Sequence, residues 1–307
     1  MTGATVRALK RLAFLALALL AATEAPAVQI TGPGTVSYQG LWWNFPADTQ
    51  HGWGLNIAHQ GGTLFATWFT YDTDGSGMWL VVPDAALEDM GDTAPMYGGP
   101  VESLPTYSGT LYRTTGPAFD AAPFDGTKVL PQVLGTAVFT FTSPDIGTFT
   151  FTINGVTRRL VITRENFDTP PDCAMGGAPP ANPNFTDLWY NAPAESERGW
   201  GVNLTQQGNI LFATWFTYDD SGKAMWLVMP RGESTGPQAW SGPLYRTTGP
   251  GFDVAWDDAK VVSTVVGTAS FSFTDANDGT FKATVKGRSV VKPITRQVFM
   301  SPPTVCR

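Results

Sequence analysis

Two near-copies of one segment govern what this chain can fold into. The stretch from Trp42 to Pro83 returns as Trp189 to Pro230 at a constant offset of 147, and 25 of its 42 residues are identical without a gap. The shared core reads G-W-G-x-N, then L-F-A-T-W-F-T-Y-D, then G-x-x-M-W-L-V, between Gly52 and Val81 and again between Gly199 and Val228. A repeat of this length sets the architecture as two copies of one unit. Further blocks extend it: Tyr107–Asp120 matches Trp240–Asp253, and Gly135–Arg164 matches Gly267–Arg296. Repeat one carries 14 additional residues after Pro83, rich in Gly and Pro, as befits a surface loop.

Within each copy the periodicity is that of strands. Ala137, Phe139 and Phe141 alternate with Val138, Thr140 and Thr142, and Phe149, Phe151 and Ile153 alternate with threonines. Turn signals such as Asp74-Gly75, Asn154-Gly155 and Lys286-Gly287 fall between the runs. Eight strands per copy are expected, near 38–44, 54–60, 64–72, 78–82, 107–114, 135–142, 147–154 and 157–166. Short connections favour antiparallel neighbours, so the fold class is all-β: two tandem eight-stranded meander barrels, with β-sandwiches as the alternative. The third and fourth strands are apolar on both faces, through Phe65, Trp68, Phe69, Trp79 and Leu80. If one face fills a barrel, the other must be covered, either by the second repeat or by a partner.

The N-terminus reads as a secretory signal over residues 1–27. Arg7, Lys10 and Arg11 precede the apolar stretch Leu12–Ala22 and an A-x-A site at Ala25–Ala27. The expected domains are then repeat one at 28–167, a Pro/Gly-rich linker at 168–184, and repeat two at 185–307. Without the signal the chain keeps 16 basic against 25 acidic residues, which argues against nucleic acid or an anionic membrane as partner. No membrane span is expected in the mature chain, because no stretch reaches the ~20 apolar residues a spanning helix needs. Cys173 and Cys306 end the tails of their respective repeats, so in an oxidising compartment they are expected to form one disulfide.

The string W-W-N-x-P-A-[DE]-[ST], followed by G-W-G, F-A-T-W-F-T-Y-D and M-W-L, resembles a tandem repeat of many secreted proteobacterial proteins. There it stands alone, in tandem, or beside hydrolase domains. The resemblance implies an extracytoplasmic module without a recognised catalytic centre. Gly40-Leu41-Trp42 is also similar to the G-x-W that opens lipocalin barrels, and Arg164 matches the Arg that family sets over the Trp. Trp189 and Arg296 repeat the pattern, although Asp187 stands where Gly40 does.

Catalytic signatures are absent from the sequence: no G-x-S-x-G, H-E-x-x-H, Walker loop or G-x-G-x-x-G occurs. The two histidines, His51 and His59, become Arg198 and Gln206 in repeat two, so no metal or cofactor is expected from them. Asp72–Gly77 is better read as a hairpin turn than as a calcium loop, since Lys223 enters the second copy. Carboxylates at Asp48, Asp72 and Asp120 show no spacing that makes a hydrolytic pair. The block Leu111–Pro117, repeated as Leu244–Pro250, offers Arg113 and Arg246; each is expected to staple its own loop through Asp120 or Asp253, or else to anchor a polar ligand.

Eleven Trp supply stacking surface. The ligand-binding candidates are therefore Trp43, Trp53 and Arg113 in repeat one, and Tyr190, Trp200 and Arg246 in repeat two, with Trp68 and Trp79 expected in the core. Together these readings describe a secreted or periplasmic, non-enzymatic binding module for a saccharide or small apolar ligand. A structural envelope protein and a hydrolase accessory domain are the alternatives.

Overall fold

Alternating residues become strands whose inward side chains fill a closed lumen. The computed structural model describes residues 36–88 and 104–307; the signal stretch and most of the insertion lie outside the described residues. Strands β1 (Gly40–Asn44), β2 (Gly54–Gln60), β3 (Thr63–Tyr71), β4 (Gly77–Leu87), β5 (Thr106–Thr115), β6 (Leu130–Phe141), β7 (Ile146–Ile153) and β8 (Val156–Arg164) each pair antiparallel with the next. β1 then closes on β8 through Trp42–Arg164 and Asn44–Ile162, which makes a barrel and excludes a sandwich. After the short β9 (Cys173–Met175), a second barrel follows the same meander. It comprises β10 (Asp187–Asn191), β11 (Gly201–Gln207), β12 (Ile210–Tyr218), β13 (Ala224–Gly236), β14 (Ala239–Thr248), β15 (Val262–Phe273), β16 (Asp278–Val285) and β17 (Arg288–Arg296). A last strand, β18 (Thr304–Cys306), pairs with β9, and the Cys173–Cys306 disulfide joins them.

An eight-stranded barrel leaves room inside for side chains and little else. Trp68 lies against Phe149 and Phe151 with ring centroids 5.1 and 4.6 Å apart, and Phe139 stacks on Phe149. Trp215, Phe271 and Phe281 repeat this packing in the second barrel. Each barrel is sealed at one end by a guanidinium over an indole, Arg164 over Trp42 at 5.0 Å and Arg296 over Trp189 at 4.8 Å. The departure at Asp187 has a physical reason. Three carbonyls hold each guanidinium; the carboxylate that completes the set is Asp187 for Arg296, at 2.7 Å, and Asp145 for Arg164, at 3.0 Å, which leaves the place of Asp187 to Gly40 in repeat one. A Cβ on Gly40 would press on the Arg164 guanidinium.

The second apolar face of β3 and β4 is covered by the other repeat. Phe69, Tyr71 and Trp79 form one buried cluster with Phe216, Tyr218 and Trp226. The indole of Trp79 donates to the Thr217 carbonyl at 3.0 Å and that of Trp226 to the Thr70 carbonyl at 2.9 Å. Trp79 is therefore buried at the seam, while Trp68 is inside its barrel.

The seam is reinforced by exchanged segments. The loop after β5 crosses to barrel two, where Phe119 sits edge-on against Trp215; the loop after β14 crosses back, where Phe252 meets Trp68 and Phe151. Gly116 and Gly249 make the crossings, each with a tyrosine ring of the other barrel where a Cβ would go. The repeated L-Y-R-T-T-G-P block is thus the start of an exchange loop. The expected staples within each repeat are corrected accordingly: Arg113 pairs with Asp72 at 2.5 Å, and Asp120 pairs with Arg288 of the other repeat at 3.1 Å. Tails cross as well. The buried amide of Gln207 holds the tail of repeat one at Glu165, Phe167 and Asp168, and Gln60 holds that of repeat two at Gln297, Phe299 and Met300. The 168–184 connector is partly structured in consequence, since it contains β9.

Candidate functional site

Because successive residues along a strand alternate in direction, the paired Trp42 and Arg164 turn into barrel one while Leu41, Trp43 and Glu165 turn outward at the seam. There they line a cleft of about 380 Å³ whose other wall is barrel two. Trp53 and Phe167 join from repeat one; Phe212, Trp226 and Tyr245 come from repeat two. Aromatic faces with few polar groups make the composition of a small-molecule site. His51, exposed at the rim, leans over Trp43 with ring centroids 5.5 Å apart.

Three polar atoms in this cleft are buried without a hydrogen-bond partner, Trp43 Nε1, Glu165 Oε2 and Thr247 Oγ1. Burial pushes the Glu165 carboxyl up to about 7, and the negative charge of Asp48 adds to the shift. An unmet donor and an unmet acceptor beside apolar rings are what a ligand with its own polar groups would satisfy.

A pseudo-equivalent cleft of about 280 Å³ lies on the other side of the seam, lined by Tyr190, Trp200, Arg198, Trp79 and Gln297. Its chemistry differs. Gln297 stands where Glu165 does, Arg198 replaces His51 and pairs with Glu195 at 2.6 Å, and Trp200 is engaged by Glu197 and Lys292. Trp53 and Trp200, expected to present exposed faces, are only 4% and 5% exposed, because each closes the floor of its cleft at the seam. Trp43 and Tyr190 are half-buried, in keeping with a stacking role. Arg113 and Arg246 do not line either cleft; they lie on the crossing strands, so the expected aromatic–arginine pairing is not brought together. Glu165 escaped sequence reasoning. Its one signal was a carboxyl-to-amide change within otherwise matched tails.

The remaining candidates are structural. His59 is fully buried in barrel one, far in role from exposed His51. Its Nδ1 accepts from the Tyr38 amide at 3.1 Å, leaving the Nε2 hydrogen for the Tyr107 hydroxyl at 3.1 Å. Burial lowers its pKa to about 4. Gln206 fills the same role in repeat two by accepting from the Phe185 amide. In the Asp72–Gly77 turn, Lys223 of the other repeat reaches both Asp72 and Asp74. No metal-ligating cluster occurs among the described residues, and no helix there is long and apolar enough to cross a membrane.

Comparison of the chain with protein families, with curated proteins and with solved structures finds no match.

Proposed function

We propose that this chain is an extracytoplasmic, non-enzymatic binding module whose ligand, a saccharide or small apolar molecule, occupies the 380 Å³ cleft between the barrels. The observation that carries the reading is the set of buried, unpartnered atoms, Trp43 Nε1, Glu165 Oε2 and Thr247 Oγ1, in a largely aromatic wall. Barrel interiors are filled by side chains, so a lipocalin-like lumen site is set aside in favour of the seam. The disulfide and the N-terminal signal pattern support an oxidising location outside the cytoplasm.

Titration of the mature protein with a glycan and small-molecule library, followed by Trp fluorescence, tests this. A saturable change that Trp43→Ala abolishes is the expected result. A flat response across the library would favour a structural envelope role instead.

A further inference from the structure

The two clefts have the same walls and opposite polar chemistry, and the difference identifies what the first one accepts. Resting on the reading of that cleft as a ligand site, we infer that it takes an organic ammonium ion, its charge against Glu165 and its carbon body against the aromatic rings of Trp43, Phe167, Phe212 and Tyr245. Cations are drawn both to carboxylates and to the faces of such rings.

Among the described residues no cation pairs with Glu165. Neighbouring Arg164 is turned beneath Trp42 and consumed by Asp145 and three carbonyls. Barrel two contributes no charged side chain to the lining. Asp48, on the β1–β2 loop, adds a second negative charge to the surroundings. An anionic ligand would meet the Glu165 carboxyl in the cleft and the field of Asp48 beside it. In the pseudo-equivalent cleft the amide of Gln297 and the cation of Arg198 remove this preference, so one ammonium per chain is expected.

Binding should strengthen as pH rises. The Glu165 carboxyl titrates near 7, and a bound cation favours its ionised form. The charged and titratable groups around it are His51 and Tyr245 in the cleft, Asp48 acting from the β1–β2 loop, and Arg164, Asp145 and Asp172 in the cavity that Glu165 also lines behind. The ionised fraction alone gives roughly 30-fold weaker binding at about pH 5.5 than at about pH 8.

The test is isothermal titration of the mature protein with two matched pairs: choline against 3,3-dimethylbutanol, and glucosamine against glucose. The choline pair is measured at both pH values. The expected result is that at least one cation binds about tenfold or more tightly than its neutral partner, and which one does so separates an alkylammonium from an amino sugar. Glu165→Gln, which copies the residue at 297, should erase the preference and the pH dependence, and His59→Gln, inside barrel one and outside the cleft, should keep both. Equal binding of a neutral partner, a preference surviving in Glu165→Gln, or pH dependence lost in His59→Gln overturns the inference, as does silence from both pairs. Neutral ligands that bind and are lost in Trp43→Ala would overturn the ammonium class while leaving the cleft as a ligand site.

Discussion

Replacing His59 with Gln should remove a block of acid sensitivity from the fold without harming it at neutral pH. The histidine is buried and neutral, with a folded pKa of about 4 against 6.5 in a free chain. Between those values the unfolded chain binds the proton and the folded one refuses it, so stability is complete above pH 6.5 and falls as pH drops through the window. At about 1.4 kcal/mol per pH unit, lowering the pH from about 7.5 to about 4.5 removes roughly 2.5 kcal/mol through this group. Glu165 works the other way, since its raised carboxyl costs stability as pH climbs from 4.5 toward 7. That contribution is common to both proteins and cancels in their difference. Gln at this place can accept from the Tyr38 amide as Gln206 does from Phe185, so neutral-pH stability should change by no more than about 1 kcal/mol. Urea unfolding of both proteins at the two pH values, followed by Trp fluorescence, measures the quantity. If His59→Gln loses as much stability on acidification as the wild type, the histidine is not the buried neutral group described here.

Trp43→Ala should abolish ligand binding with little change in melting temperature, whereas Trp68→Ala should cost ~3–5 kcal/mol by emptying the barrel-one interior; equal destabilisation would make Trp43 a core residue. Replacing Cys173 and Cys306 by Ser opens a loop of 133 residues and should cost about 5 kcal/mol in denaturant unfolding, with a loss under about 1 kcal/mol contradicting the chain-entropy account. A protease site introduced at 177–183 should leave the reduced halves eluting together in size exclusion, because loops and tails are exchanged; separation into free halves would show that each barrel is self-sufficient. Gly116→Ala drives a methyl group into the Tyr218 ring and should lower the melting temperature markedly more than Gly236→Ala, whose Cβ position is open and whose backbone is not left-handed; a comparable effect at both sites would remove the crossing glycine from the argument.

The strands were legible because alternation is a local property. Phe139, Phe141, Phe149 and Phe151 announce an inward face from their own spacing, and the two-faced β3 and β4 announce that something covers them. The exchange was not legible, because Phe119, Phe124 and Phe252 lie in loops outside any alternating run, and nothing near them in sequence says which barrel they enter. The ion pairs failed for the same reason: Asp120 lies near Arg113 along the chain, and its partner Arg288 is 168 residues away. At the site, Trp43 and Tyr190 were recognisable as aromatics that differ between the copies. Glu165 was hidden because its significance arises from burial beneath a wall that belongs to the other repeat.

Each cleft is walled by both repeats, so fusion of the two on one chain has a symmetry consequence. In a dimer of identical repeats every substitution would be written into both clefts at once, and a carboxyl gained on one side would be forced on the other. On a single chain the two walls are inherited separately. Glu165 can then face one cleft while Gln297 faces the second, and an imidazole at His51 can stand where the equivalent rim has the guanidinium of Arg198. One cleft is thereby free to specialise while its counterpart keeps its charges bonded, as the Arg198–Glu195 pair at the rim does.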